Sequence, residues 1–163
     1  MDRLWSPWRS EYIASAGDAA ETVCIFCKLR DEPDNDETNF VVHRGSHNFI
    51  VLNRYPYISG HLLIVPYEHI GELDKAAKAT TDELMELAKQ SQTALREVYQ
   101  PDGFNLGMNL GRTAGAGIAN HIHLHFLPRW SGDTNFMTSV GEARVLPEDL
   151  STTYAKLLAK FAR

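Results

Sequence analysis

Apolar and polar positions along the chain follow two periods, and each change of period marks an element. Asn39-Phe40-Val41-Val42-His43 and Asn48-Phe49-Ile50-Val51-Leu52 are short runs rich in β-branched and aromatic residues. Arg44-Gly45-Ser46-His47 divides them, which is the signature of a hairpin. After a loop over residues 53–60, His61-Leu62-Leu63-Ile64-Val65-Pro66 reads as a buried strand closed by its proline. The period then lengthens. Leu84, Leu87, Ala88, Ser91, Ala94, Leu95 and Val98 fall on one face at helical spacing. Thr80 and Glu83 stand at capping-box spacing at the start of this helix, and Pro101-Asp102-Gly103 breaks it near Tyr99. Residues 104–109 form another strand, residues 111–117 a glycine-rich loop, and residues 148–161 a helix after Pro147. In the strand that follows the glycine loop, alternation is strict: His121, His123 and His125 line one face, and Ile122, Leu124 and Phe126 the other.

Strands clustered as hairpins around one main helix predict an α+β fold with an antiparallel sheet. The 163 residues and 44% hydrophobic content suffice for one domain with a real core. Residues 1–23 read as an arm or short helix docked by Trp5 and Trp8, and the acidic stretch 30–38 as a solvated loop. A net charge of −5 leaves no electrostatic footprint for nucleic acid. No apolar run approaches the roughly 20 residues that span a bilayer. The start Met1-Asp2-Arg3-Leu4-Trp5 is too polar for a signal peptide, so the expected location is cytoplasmic.

Three co-facial imidazoles are hard to explain by packing. Near neutral pH imidazole serves as nucleophile, proton carrier or metal ligand. Gly107, Gly111, Gly115 and Gly117 precede them, and glycine lets backbone amides approach phosphate oxygens. The loop lacks the G-x-x-x-x-G-K-[ST] pattern, which excludes a Walker-type site. Together these features point to phosphoryl or nucleotidyl transfer. Cys24 and Cys27, the only cysteines, are spaced C-x-x-C and point to metal binding or redox chemistry rather than a structural disulfide. His43 and His47 read as hairpin surface residues, His61 as a structural hydrogen-bonding histidine, and Arg129 as an exposed loop arginine.

His121-Ile122-His123-Leu124-His125-Phe126-Leu127 resembles the signature of the histidine triad (HIT) family of nucleotide hydrolases and transferases. Leu52-Asn53-Arg54-Tyr55-Pro56 with Gly60-His61-Leu62-Leu63-Ile64-Val65-Pro66 looks like that family's nucleoside-binding hairpin, and Asn109-Leu110-Gly111 like its phosphate-side loop. The ending Pro128-Arg129-Trp130-Ser131-Gly132-Asp133-Thr134-Asn135-Phe136 is similar to the branch of diadenosine tetraphosphate phosphorylases and fragile-histidine-triad hydrolases. The resemblance implies a single HIT domain over 1–163, with an arm (1–23), a core (24–145) and a C-terminal helix (146–163). It implies a five-stranded antiparallel sheet and a homodimer. It assigns the nucleophile to His123, with His125 positioning phosphate and leaving group beside His121. It assigns ribose contact to Asn53 and phosphate contact to Asn109, with Gly115, Gly117 and Ile118 also at the nucleotide. By the same resemblance Cys24, Cys27, His69 and His121 hold a structural zinc. No organic cofactor is implied, and any divalent cation would come with the substrate.

Many members carry Gln-Ser or Gln-Thr four and three residues before the first histidine, where this chain has Gly117-Ile118. That departure favours orthophosphate as an acceptor competing with water. The implied substrate is a diadenosine polyphosphate. Hydrolysis of nucleoside phosphoramidates, or nucleotide binding without turnover, are the alternatives.

Overall fold

The computed structural model describes residues 24–141 and 146–161. The expected arm with Trp5 and Trp8 lies outside them. Five strands form one antiparallel sheet in the order β1-β2-β3-β5-β4. They are β1 (Val41–Arg44), β2 (Asn48–Leu52), β3 (Leu62–Pro66), β4 (Gly103–Gly107) and β5 (Leu124–Arg129). The helices are α1 (Ile25–Asp31), α2 (Asp36–Asn39), α3 (Lys78–Tyr99), α4 (Phe136–Val140) and α5 (Leu150–Phe161). The α+β class and the five-stranded sheet agree with the sequence reading.

β2 and β3 are buried along their whole length, so both faces of the sheet are covered. Ile50, Leu52, Leu62, Ile64, Leu124 and Phe126 pack against the apolar stripe of α3 and against Tyr154, Leu157 and Phe161 of α5. Phe49, Val51, Leu63 and Val65 pack on the other face against Phe26 and Leu29 of α1. α1 is too short to give a clear period in the sequence. Gly60 supplies the positive φ of 78° that turns the loop into β3, where an added Cβ would meet Leu95 at 2.9 Å.

Five sequence expectations need correction. β1 starts at Val41, because Asp36–Asn39 is helical and Phe40 takes a left-handed conformation (φ 60°) at its end. The acidic stretch is not simply solvated. Asp36 pairs with Arg44 at 2.6 Å, and the same guanidinium donates to the Leu29 carbonyl at 2.7 Å, fastening α1 and α2 to the sheet. His43 is half-buried against the Phe161 ring at 5.7 Å, whereas His47 is exposed as expected. Arg129 belongs to β5 and is held by Asp133 and Asn105, each at 2.5 Å.

The capping box is the fifth correction. α3 begins at Lys78, and Thr80 is a buried residue inside it. Glu83 instead reaches out of the helix and accepts from the backbone N–H of Ser46 (2.7 Å) and His47 (2.7 Å) and from Asn48 Nδ2 (2.8 Å). One carboxylate thus caps the β1–β2 turn and links it to the main helix. Glu83→Ala leaves these donors without their charged acceptor, and denaturant unfolding should show a loss of about 2–3 kcal/mol. A loss below about 0.5 kcal/mol, the size expected for an ordinary surface change, would contradict this role.

Candidate functional site

The three histidines do not share one strand. Only His125 lies in β5; His121 and His123 sit in the irregular segment that leads into it. That segment is pinned by Ile122 N–H donating to the Ile70 carbonyl at 2.7 Å. Nor do the three rings form one open imidazole face. His121 is completely buried, His123 is 8% exposed, and His125 is half-buried.

His123 and His125 line a cleft of about 310 Å³. Their ring centroids are 4.9 Å apart at 62°. Asn53, Asn109, Gly115, Gly117 and Ile118 line the same cleft, so all the nucleotide-site residues named from the sequence converge there. Its apolar wall comes from Ile25, Phe26 and Leu29 of α1 with Val51 and Leu63 of the sheet. Sequence reasoning missed α1 as a wall; its signal was only the Phe26/Leu29 pair at i, i+3 spacing.

Hydrogen-bond partners assign the tautomers. His123 Nδ1 lies 3.0 Å from the His121 carbonyl, which can only accept, so Nδ1 carries the proton and Nε2 keeps a lone pair. A second chain of bonds fixes His125. The Tyr57 backbone N–H donates to His61 Nδ1 at 3.2 Å, so the proton of neutral His61 is on Nε2. That proton is donated to His125 Nδ1 at 2.9 Å, which leaves the His125 proton on Nε2. Adjacent rings therefore present opposite functions, a nucleophilic nitrogen and an N–H donor. His61 makes the structural hydrogen bond expected of it, and it also sets the state of His125. The contact joins residues 64 apart in sequence, so no local motif could reveal it. Burial, with the nearby His125 and His123, pushes the His61 pKa down to about 3; burial also lowers that of His123. Both rings are neutral at physiological pH.

Asn53 is partly committed to structure. Its Oδ1 accepts from the Tyr55 N–H at 3.0 Å, and its Nδ2 lies 3.3 Å from His61 Nδ1. The glycine loop is likewise less open than its composition implies. The N–H groups of Gly115 and Ala116 are used by the carbonyls of Arg112 (2.9 Å) and Gly111 (3.3 Å). The N–H groups of Gly117 and Ile118 have no backbone partner among the described residues.

His121 stands apart from the cleft, in a second cluster. Ligand atoms of Cys24, Cys27, His69 and His121 all lie within 4.8 Å of one another. Cys24 Sγ is 3.3 Å and Cys27 Sγ 3.8 Å from His121 Nδ1, and Cys27 Sγ is 3.2 Å from His69 Nδ1. A tetrahedral zinc with bonds of about 2.3 Å to sulfur and 2.0 Å to nitrogen has S···N edges of about 3.5 Å. The cluster therefore suits such a metal. His121 Nε2 donates to the Pro66 carbonyl at 2.9 Å, which turns the lone pair of Nδ1 toward the thiols. Burial pushes its pKa down to about 4, which keeps it in the neutral, ligating form. Phe26 packs between the two sites, 5.3 Å from the His121 ring and 5.0 Å from His123.

A family model for the HIT domain matches residues 34–132, more than half of the chain. An AP-4-A phosphorylase of Mycobacterium tuberculosis (strain ATCC 25618 / H37Rv) is 38% identical, over 100% of this chain and 86% of that protein. The chain belongs to the HIT family. Among solved structures, a Zn-bound histidine triad family protein from Mycobacterium smegmatis matches with a TM-score of 0.68 and 27% identity. The match covers 85% of this chain and 93% of that one. A Plasmodium falciparum diadenosine triphosphate hydrolase, at 13% identity and TM-score 0.60 over 76% and 75% of the chains, shares the fold. No helix among the described residues is long and apolar enough to cross a membrane.

The depressed His61 pKa has a consequence for stability. The unfolded imidazole takes up a proton near pH 6.5, and the folded one only near pH 3. The contribution is complete above pH 6.5 and is lost as the pH falls toward 3. The melting temperature should drop across this window, and less steeply for His61→Asn. Equal slopes would show that other groups control acid unfolding.

Proposed function

We propose that the protein cleaves diadenosine polyphosphates through a nucleotidyl-histidine intermediate and transfers the nucleotidyl group to orthophosphate in competition with water. The observation that carries this reading is the pair of opposite tautomers, His123 with a bare Nε2 beside His125 with a protonated Nε2, in a cleft that also holds Asn53 and Asn109. The 38% identity to an AP-4-A phosphorylase over the whole chain supports the substrate class.

In this mechanism His123 Nε2 attacks the α-phosphorus, a P–N bond forms, and the bond from phosphorus to the bridging oxygen breaks. His125 donates a hydrogen bond from its Nε2–H to the bridging oxygen, and the polyphosphate departs as an anion with the electron pair of the broken bond. The acceptor then attacks the same phosphorus, the P–N bond breaks and its electron pair returns to His123 Nε2; orthophosphate attacks through an anionic oxygen, and water releases its proton to solvent. Two displacements replace one difficult one. Neutrality of His123 keeps its lone pair available at pH 7. Asn109, whose carboxamide makes no hydrogen bond within the described residues, holds a phosphate together with the N–H groups of Gly117 and Ile118. Asn53 meets the ribose, and the apolar α1 wall covers the base. His121 supports the reaction through its carbonyl on His123 and through the metal cluster. The homodimer implied by the family has an open sheet edge available at β4, where Leu106 is exposed.

Cys24, Cys27, His69 and His121 would hold a zinc ion, whose chemistry here is a structural cross-link. It would tie α1 and the residue before it to the segment that carries His123. The spacing of the four ligand atoms supports this, as does a Zn-bound family member at 27% identity. Purified protein should contain about one zinc per chain, as one four-ligand site requires. Cys27→Ser should lose the metal and unfold at lower temperature. Metal-free protein of unchanged stability, or a Cys24–Cys27 disulfide, would contradict the site.

The acceptor is tested by product analysis. Diadenosine tetraphosphate should give ADP and ATP in the presence of orthophosphate, and AMP and ATP in water alone. AMP and ATP at saturating phosphate would make the protein a hydrolase instead. No cleavage of the dinucleotide would overturn the reading altogether.

A further inference from the structure

The cleft contains one charged residue that none of these roles uses. Arg54 follows Asn53 in the loop between β2 and β3, is exposed, and lines the cleft with His123 and His125. Among the described residues that line the cleft, it is the only side chain formally charged at neutral pH, and none is a carboxylate. In a chain of net charge −5, the cleft is therefore locally positive. Arg54 has no ion-pair partner among the described residues. Other arginines are neutralised, Arg44 by Asp36 and Arg129 by Asp133.

The backbone around Arg54 is rigidly held. Asn53 N–H donates to the His61 carbonyl at 2.9 Å, the Tyr55 N–H to Asn53 Oδ1 at 3.0 Å, and the Tyr57 N–H to His61 Nδ1 at 3.2 Å. These bonds fix the loop to the same His61 that orients His125. A guanidinium without a counter-ion is thus launched from a fixed point beside the catalytic pair. Its planar set of donors suits phosphate oxygens.

We propose that Arg54 binds the phosphates beyond the one attacked by His123, and so selects nucleotides whose chain holds three or more phosphates. The inference rests on the nucleotidyl-transfer reading above and names the part of the substrate that the reading leaves unassigned. A substrate with only one phosphate has nothing for Arg54 to hold. A longer chain places its added negative charge against this cation.

The test is nucleotide binding by the full chain, measured by calorimetry in magnesium-free buffer. All proteins carry His123→Ala so that no nucleotide is consumed. With Arg54 present, ATP should bind about tenfold more tightly than AMP, the gain expected of one charge-assisted contact partly open to solvent. Adding Arg54→Ala should reduce that gap to less than twofold and leave AMP affinity unchanged. Arg54→Lys, which keeps the charge, should restore part of the gap. Lys89→Ala, which removes an equal charge from the exposed face of α3, should leave the gap intact. The proposal is overturned if ATP and AMP bind equally when Arg54 is present, if the gap survives Arg54→Ala, or if Lys89→Ala closes it as well. Cleavage of diadenosine tetraphosphate by the unmodified protein decides the functional reading separately. Cleavage with no ATP-over-AMP gap would sink the role of Arg54 and spare the enzyme. A gap that Arg54→Ala abolishes, in a protein that cleaves nothing, would keep the phosphate contact and sink the enzyme.

Discussion

One buried histidine connects both halves of the site. His121 is fully enclosed, and every polar group of it is used. Its Nε2 holds the end of β3 through the Pro66 carbonyl, and its Nδ1 faces the thiols of Cys24 and Cys27. Its own carbonyl accepts the Nδ1 proton of His123. A buried polar group left without partners is costly, so this set of bonds admits few alternatives. The position and tautomer of His123 follow from it. So does the location of the cleft wall, because the cysteines flank Phe26 on α1.

The second constraint is the relay that ends on His125. A backbone N–H of the loop decides which nitrogen of His61 is bare, and that choice passes through one imidazole to the next. No charge is needed at any point, and burial keeps His61 from acquiring one. The resulting pair offers a bare nitrogen on His123 beside an N–H donor on His125. Among the described residues the cleft offers neutral amides, an apolar wall and a single cation. For a small anionic substrate this is an economical arrangement, since a chain of net negative charge needs attraction only where the phosphates lie.

Much of this was legible in the sequence, and the reasons for the exceptions are physical. The strands and the stripe of α3 were visible because the core imposes periods of two and 3.6 on apolar positions. The histidine motif was visible because its alternation resists explanation by packing, although the strand itself starts only at Leu124. The candidate metal ligands came from resemblance to a family; the distances then brought all four together. Other features had no local signature. Glu83 stands at the spacing of a helix cap, but its carboxylate does better by satisfying three donors of a neighbouring turn. Tertiary partners outweighed the local motif. The His61–His125 bond and the Asp36–Arg44 tie join residues whose proximity exists only after folding. The glycine loop misled in the opposite direction, because two of its amides serve its own turn.

The central claim is that His123 becomes covalently attached to the nucleotide. It is tested most directly by mixing the protein with diadenosine tetraphosphate, quenching in base within one turnover, and locating the adduct by peptide mass spectrometry. The account predicts one adenylyl group on His123, present early and depleted when orthophosphate is added. Turnover with no adduct, or with the adenylyl group on any other residue, would contradict it.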